Sequence, residues 1–148
     1  MRTLHNYYYE EYRQNQALHR DINRAANDEH QAIQYYSALA NMAPNNEIKQ
    51  IILGIRQDEI RHLHAFSRSY NRLAGGYPNL TSAVLPKNFR EGVIEALKDE
   101  GKTPAFYRSI AARTTDVATK RRFLQAAEDE ARHEQLFRQI ARQTGIRK

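Results

Sequence analysis

DEIRHLHAF, residues 58–66, returns as DEARHEQLF, residues 129–137, with Asp, Glu, Arg, His and Phe at the same places. The offset of 71 also holds upstream without a gap, where DEHQAIQYYSALA (28–40) falls on DEGKTPAFYRSIA (99–111), Lys49 on Lys120 and Leu53 on Leu124. The chain therefore reads as two copies of one unit. Each copy has a Glu, a Tyr seven residues later, a turn, and then Asp-Glu-x-Arg-His.

Apolar residues recur at the helical period of 3.6 on either side of each turn. Leu18, Ile22, Ala25, Ala32, Tyr36 and Leu39 share one face of a first helix, and Ile48, Ile52, Ile55, Phe66 and Leu73 one face of a second. In the other copy Phe89, Val93, Ala96, Tyr107 and Ile110 mark a third helix, and Phe123, Ala126, Phe137 and Ile140 a fourth. Pro44-Asn45-Asn46 and Thr114-Thr115-Asp116 break the two hairpins. Strand signals are weak throughout, so the expected fold is an all-α antiparallel four-helix bundle. Gly75-Gly76 stops the second helix, and Asn88 with Glu91 makes a capping box for the third. The roughly 14 residues between them reach about 45 Å when extended, enough for a crossover along the whole bundle.

Composition narrows the chemistry. The 148 residues are about two-fifths hydrophobic and a quarter charged, which suits one domain over residues 1–148 with hairpins at about 18–73 and 88–144. There is no cysteine, so disulfides, thiolate metal sites and a cysteine nucleophile are excluded, and carboxylate and imidazole are left as metal-binding groups. No signal peptide and no apolar run of about 20 residues is present, which gives a cytoplasmic protein, with no membrane partner, as the expectation. The net charge of +6 is spread along the chain and is read as a solvated surface; nucleic acid is not an expected partner.

Each apolar stripe skips a position, and an ionisable residue fills the gap. Glu29 falls between Ala25 and Ala32, Glu59 and His62 between Ile55 and Phe66, Glu100 between Ala96 and Tyr107, and Glu130 and His133 between Ala126 and Phe137. Glu29 and Glu59 both lie about 22 Å from the first turn at 1.5 Å per residue, and the same arithmetic pairs Glu100 with Glu130. Four buried carboxylates left uncompensated cost several kcal/mol each. Two divalent cations balance them, with one Glu-x-x-His serving each ion. A single Glu-x-x-His is common on surface helices; two in register, each with an inward Glu 30 residues upstream, are not. Asp58 and Asp129 read either as solvated helix charges or, in preference, as acceptors of the free imidazole N–H that fix its tautomer, with Arg61 and Arg132 balancing their charge. Tyr36 and Tyr107 read either as core aromatics or as groups beside the metals. His5, His19, His30 and His64 are read as surface residues.

The order Glu29, Glu59-x-x-His62, Glu100, Glu130-x-x-His133 resembles the ferritin-like di-iron carboxylate superfamily, nearest in size to rubrerythrin-type domains. The resemblance spans about residues 18–144. It implies bridging roles for Glu59 and Glu130, terminal roles for Glu29 and Glu100, one metal each for His62 and His133, and two iron ions, with manganese possible. Rubrerythrins with a rubredoxin iron site carry four further cysteines, so a chain without cysteine needs a separate electron-donor protein or takes electrons from iron itself. The weak position is Glu100, four residues before Pro104. Either the third helix continues past Pro104 with a local bend and keeps the ligand, or it ends at Gly101 and restarts at Thr103; the intact register favours the first.

The expected activity is reduction of hydrogen peroxide, or oxidation of Fe(II) by O2 or peroxide. The alternative is a metal-binding bundle without turnover, and a DNA-protecting relative ranks third. The segment Tyr7-Tyr8-Tyr9 with Tyr12 is expected to cover the bundle or to contact a second chain, and a homodimer is expected from the resemblance.

Overall fold

The computed structural model describes residues 3–147. Four helices follow one another: α1 Leu4–Asn41, α2 Asn46–Ala74, α3 Phe89–Arg113 and α4 Val117–Thr144. No strand occurs among the described residues. Each helix starts on a side chain that satisfies an otherwise orphaned backbone N–H: Thr3, Asn45, Asn88 and Asp116 accept from residues three positions on, a device worth about 1 kcal/mol per helix. Asn45 and Asp116 are 71 apart, so the repeat extends to the caps of α2 and α4.

α1 packs closely on α2 and α3 on α4, α2 meets α4, and α1 meets α3 only loosely. The end of α1, the start of α2, the start of α3 and the end of α4 share one apolar cluster, through Leu39, Ile48, Val93 and Ile140. The crossover therefore runs the length of the bundle, and neighbouring helices are antiparallel. A second cluster holds Leu18, Ile22, Phe66, Tyr107 and Phe123, with the rings of Phe66 and Phe123 stacked 4.0 Å apart. The offset of 71 carries members of one cluster into the other, Ile22 to Val93 and Phe66 to Phe137. The two halves of the core are thus related by the same symmetry as the sequence. Of the apolar stripe residues, Ala32, Leu73 and Phe89 are half-buried at the edges and the rest are buried.

The crossover is tied to one face of α1 by a ladder of amide side chains. Asn23 exchanges two hydrogen bonds with Asn79, Asn27 accepts from the Thr81 N–H at 2.7 Å, Gln31 donates to Thr81 and Ser82, and Gln34 accepts from the Ala83 N–H at 2.7 Å. Tyr35 continues the row with a 2.8 Å hydrogen bond to the Gly92 carbonyl. A Cβ on Gly92 would lie 2.4 Å from Leu39 Cδ1 and 3.0 Å from Pro86 Cβ, so only glycine lets strap and helices meet here.

Two expectations need correction. α1 begins at Leu4, 14 residues before the repeat does, and Tyr7, Tyr8, Tyr9 and Tyr12 stand exposed on this extension instead of covering the bundle. His19 and His30 are half-buried, whereas His5 and His64 are exposed; none of the four enters the ionisable cluster. The reading of Pro104 holds: α3 is one helix from Phe89 to Arg113, and Glu100 keeps its inward place with 2% of its surface exposed.

Candidate metal centre

A layer of ionisable side chains separates the two apolar clusters. Glu29, Glu59, Glu100, Glu130, His62 and His133 are all buried, and the structure brings them together as two groups of four. Glu29, Glu59, His62 and Glu130 form one group; Glu59, Glu100, Glu130 and His133 form the other. Within each, one donor atom per residue lies within 4.8 Å of all the others, a spacing that one cation can draw together. Glu59 and Glu130 belong to both groups, the position a bridging carboxylate needs.

Four of the donors, Glu29, Glu100, His62 and His133, are held by one atom and turn another into the layer. Tyr107 donates to Glu29 Oε1 and Tyr36 to Glu100 Oε1, the latter at 2.5 Å, while Oε2 of both glutamates has no hydrogen-bond partner. His133 Nε2 lies 2.8 Å from Asp58 and His62 Nε2 2.8 Å from Asp129, which turns both Nδ1 atoms toward the carboxylates. His133 Nδ1 and Glu59 Oε1 are likewise buried without a hydrogen-bond partner. Buried polar atoms are normally satisfied, so four orphans within one layer fit a site built to surround cations. Oxygen and imidazole donors in this proportion fit iron or manganese.

All four supporting contacts cross between the hairpins. Tyr36 and Tyr107 reach from α1 to α3 and back, and His62–Asp129 and His133–Asp58 do the same between α2 and α4. The aspartates are closed off by arginines: Arg61 bonds Asp58, and Arg132 bonds Asp58 at 3.0 Å and Asp129 at 3.1 Å.

A rubrerythrin family profile matches residues 21–141, which contains the whole layer. The chain belongs to the rubrerythrin family. It is 40% identical over 124 residues to the uncharacterized protein YhjR of Bacillus subtilis (strain 168), covering 82% of this chain and 85% of that one. A hypothetical protein from Pyrococcus furiosus has the same fold, with a TM-score of 0.72 at 18% identity over 82% of this chain and 85% of that structure. No helix among the described residues is long and apolar enough to cross a membrane.

Within the layer the buried charges shift one another's proton affinities. Burial, reinforced by Glu59 and Glu130, raises Glu29 well above the usual carboxylate range, and burial with Glu130 does the same to Glu100. Burial with Glu130 also raises Glu59, more moderately. Burial pushes Glu130 upward too, but its interactions with Glu100, His133 and His62 outweigh it and leave this carboxylate low. Burial lowers the imidazoles, yet contacts with Glu130 and Glu59 lift His133 to about 10, and those with Asp129 and Glu130 hold His62 far above its ordinary value. Two protonated glutamates, two carboxylates and two imidazolium ions sum to zero. Four carboxylates, two neutral imidazoles and two divalent ions also sum to zero. The layer is neutral in either state, a condition its burial imposes.

One side of the layer opens to solvent. A cleft of about 660 Å³ lies between α1 and α3, roofed at one end by the strap, and Glu29, Glu59, Glu100 and Glu130 reach it. Neither imidazole lines it. Its rim carries Asp28 and Asp99, which sequence reasoning passed over although the offset of 71 already paired them.

Proposed function

We propose that this rubrerythrin-family chain is a di-iron carboxylate oxidoreductase that reduces hydrogen peroxide or oxidises Fe(II) with O2 or peroxide. The observation that carries the proposal is the pair of four-donor groups sharing Glu59 and Glu130. Glu29 and His62 would complete one ion's set, Glu100 and His133 the other. Two such ions, when bound, supply the two electrons that reduction of H2O2 to two waters requires, together with two protons. Manganese fits the same donors, and a separate electron-donor protein, or iron itself, returns the electrons.

The surrounding residues set geometry and proton inventory. Tyr36 and Tyr107 are raised well above the ordinary phenol range, chiefly by burial, and stay neutral donors to Glu100 and Glu29. Asp58 and Asp129 hold the Nε2 protons and keep both Nδ1 atoms inward. Structural metal sites are closed, whereas this layer meets an open cleft; that favours turnover over a bundle merely stapled by ions.

The test is to add Fe(II) anaerobically to metal-free protein, measure iron per chain, and follow its oxidation on adding peroxide or O2. Two irons per chain with rapid oxidation by peroxide support a peroxidase, and faster oxidation by O2 a ferroxidase. Binding with no oxidant consumption, together with a large rise in melting temperature on adding Zn(II), points to the non-catalytic bundle instead.

A further inference from the structure

We infer that the cleft between α1 and α3 is the route by which divalent cations reach the centre, and that Asp28 and Asp99 are transit ligands that pass them inward. The inference rests on the di-metal reading and adds a path and two residues to it.

The internal repeat singles out the two aspartates. Among residues lining the cleft, four pairs are identical at the offset of 71. Three already belong to the centre: Glu29 with Glu100, Glu59 with Glu130, and Tyr36 with Tyr107. The fourth is Asp28 with Asp99, each immediately before a glutamate whose buried Oε2 has no hydrogen-bond partner. The aspartates therefore stand at the rim and the orphaned oxygens behind them, and a cation that leaves one set meets the other.

Charge points the same way. Eight acidic and three basic side chains line the cleft, an acidic excess even with Glu29 and Glu100 protonated, although the chain as a whole carries +6. A concave, acidic site on a basic protein concentrates cations there and turns them away elsewhere. Arg24 is the nearest opposing charge, 3.9 Å from Asp28, but both side chains are well exposed and its guanidinium also rests 4.6 Å from the centroid of the Phe106 ring. Such a solvated pair holds little energy and is readily displaced by a divalent ion. Lys98 and Lys102 sit near Asp99 in the same solvated setting. The opposite side offers no comparable path, because the imidazoles there lie behind Asp58, Asp129 and their arginines.

The experiment follows Co(II) absorbance in a stopped-flow mixer, with metal-free full-length protein under anaerobic conditions at low salt. The double variant Asp28→Asn/Asp99→Asn should load about ten times more slowly than the parent while still reaching two cobalt ions per chain, and its rate should depend less on salt. The charge-matched variant Glu47→Gln/Glu128→Gln, altered at exposed sites outside the cleft, should load at the parental rate. Equal rates for the parent and the aspartate variant would overturn the route and leave the di-metal reading intact. So would equal slowing by both variants, which would make the effect one of net charge alone. A parent that takes up no cobalt would overturn the di-metal reading, and the route with it.

Discussion

The two sides of the ionisable layer are built from the same repeat and differ in what they expose. On the α2/α4 side His62 and His133 back onto Asp129 and Asp58, and Arg61 and Arg132 close the aspartates off. On the α1/α3 side Tyr107 and Tyr36 hold one oxygen each of Glu29 and Glu100, the other oxygen is buried without a hydrogen-bond partner, and an open cleft lies over the layer. One side fixes donors; the other leaves them free to exchange a ligand. The contrast parallels helix packing, since α2 and α4 approach each other more closely than α1 and α3 do.

The comparison breaks most completely at a residue common to both groups. Glu59→Ala should remove both ions, with iron per chain falling from about two to none and affinity falling more than about 100-fold, as measured by anaerobic titration. On the fixing side, Asp129→Asn should weaken metal binding about 10-fold to 100-fold, because His62 loses the anionic acceptor that orients it and raises its basicity. The fold should survive, so circular dichroism should match the parent.

Protons sharpen the comparison. Loading two divalent ions near neutral pH should release protons, those of the two imidazolium groups included, measurable with an indicator dye in weak buffer. In metal-free protein His133 sits at about 10 against an ordinary 6.5, so the stability it confers is complete below about 6.5 and is lost as pH rises through about 10. Glu29 and Glu100, raised from 4.5, act in the same direction at lower pH. Melting temperature of the metal-free chain should therefore fall as pH rises from 7 to 10, while metal affinity rises. The metal-loaded chain should show a much flatter profile.

The smallest effect belongs to α3. Pro104 lacks the N–H that would bond the Glu100 carbonyl, a defect of about 3 kcal/mol in an isolated helix, partly offset by the rigidity proline gives the unfolded chain. Pro104→Ala should raise stability by about 1–2 kcal/mol in denaturant titration and leave metal stoichiometry unchanged.

The sequence made the layer legible and not its wiring. Periodicity gives each residue a face, and distance from a turn gives it a level, so the six inward groups and the crossover could be read from spacing alone. Neither quantity says which helix of one hairpin lies against which helix of the other, and the crossed pairs Tyr36–Glu100 and His62–Asp129 depend on that. The α1 extension was missed because the stripe starts at Leu18 and the exposed tyrosines before it show no burial pattern to read. Asp28 and Asp99 were hidden by their ordinariness, as exposed acids on helices resemble any solvated charge until a cleft is seen beneath them. The amide ladder was hidden for a similar reason: Asn23, Asn27, Gln31 and Gln34 look like the polar face of α1.

The crossed wiring bears on how such a chain originates. Each group of four takes three donors from its own hairpin and the fourth, with the supporting Tyr and Asp, from the other. A lone hairpin completes neither ion's shell, yet two copies of one hairpin, paired about a two-fold axis, would supply every element. The present molecule has the form of such a pair made continuous, with the crossover between α2 and α3 as the link and the amide ladder fastening that link to α1.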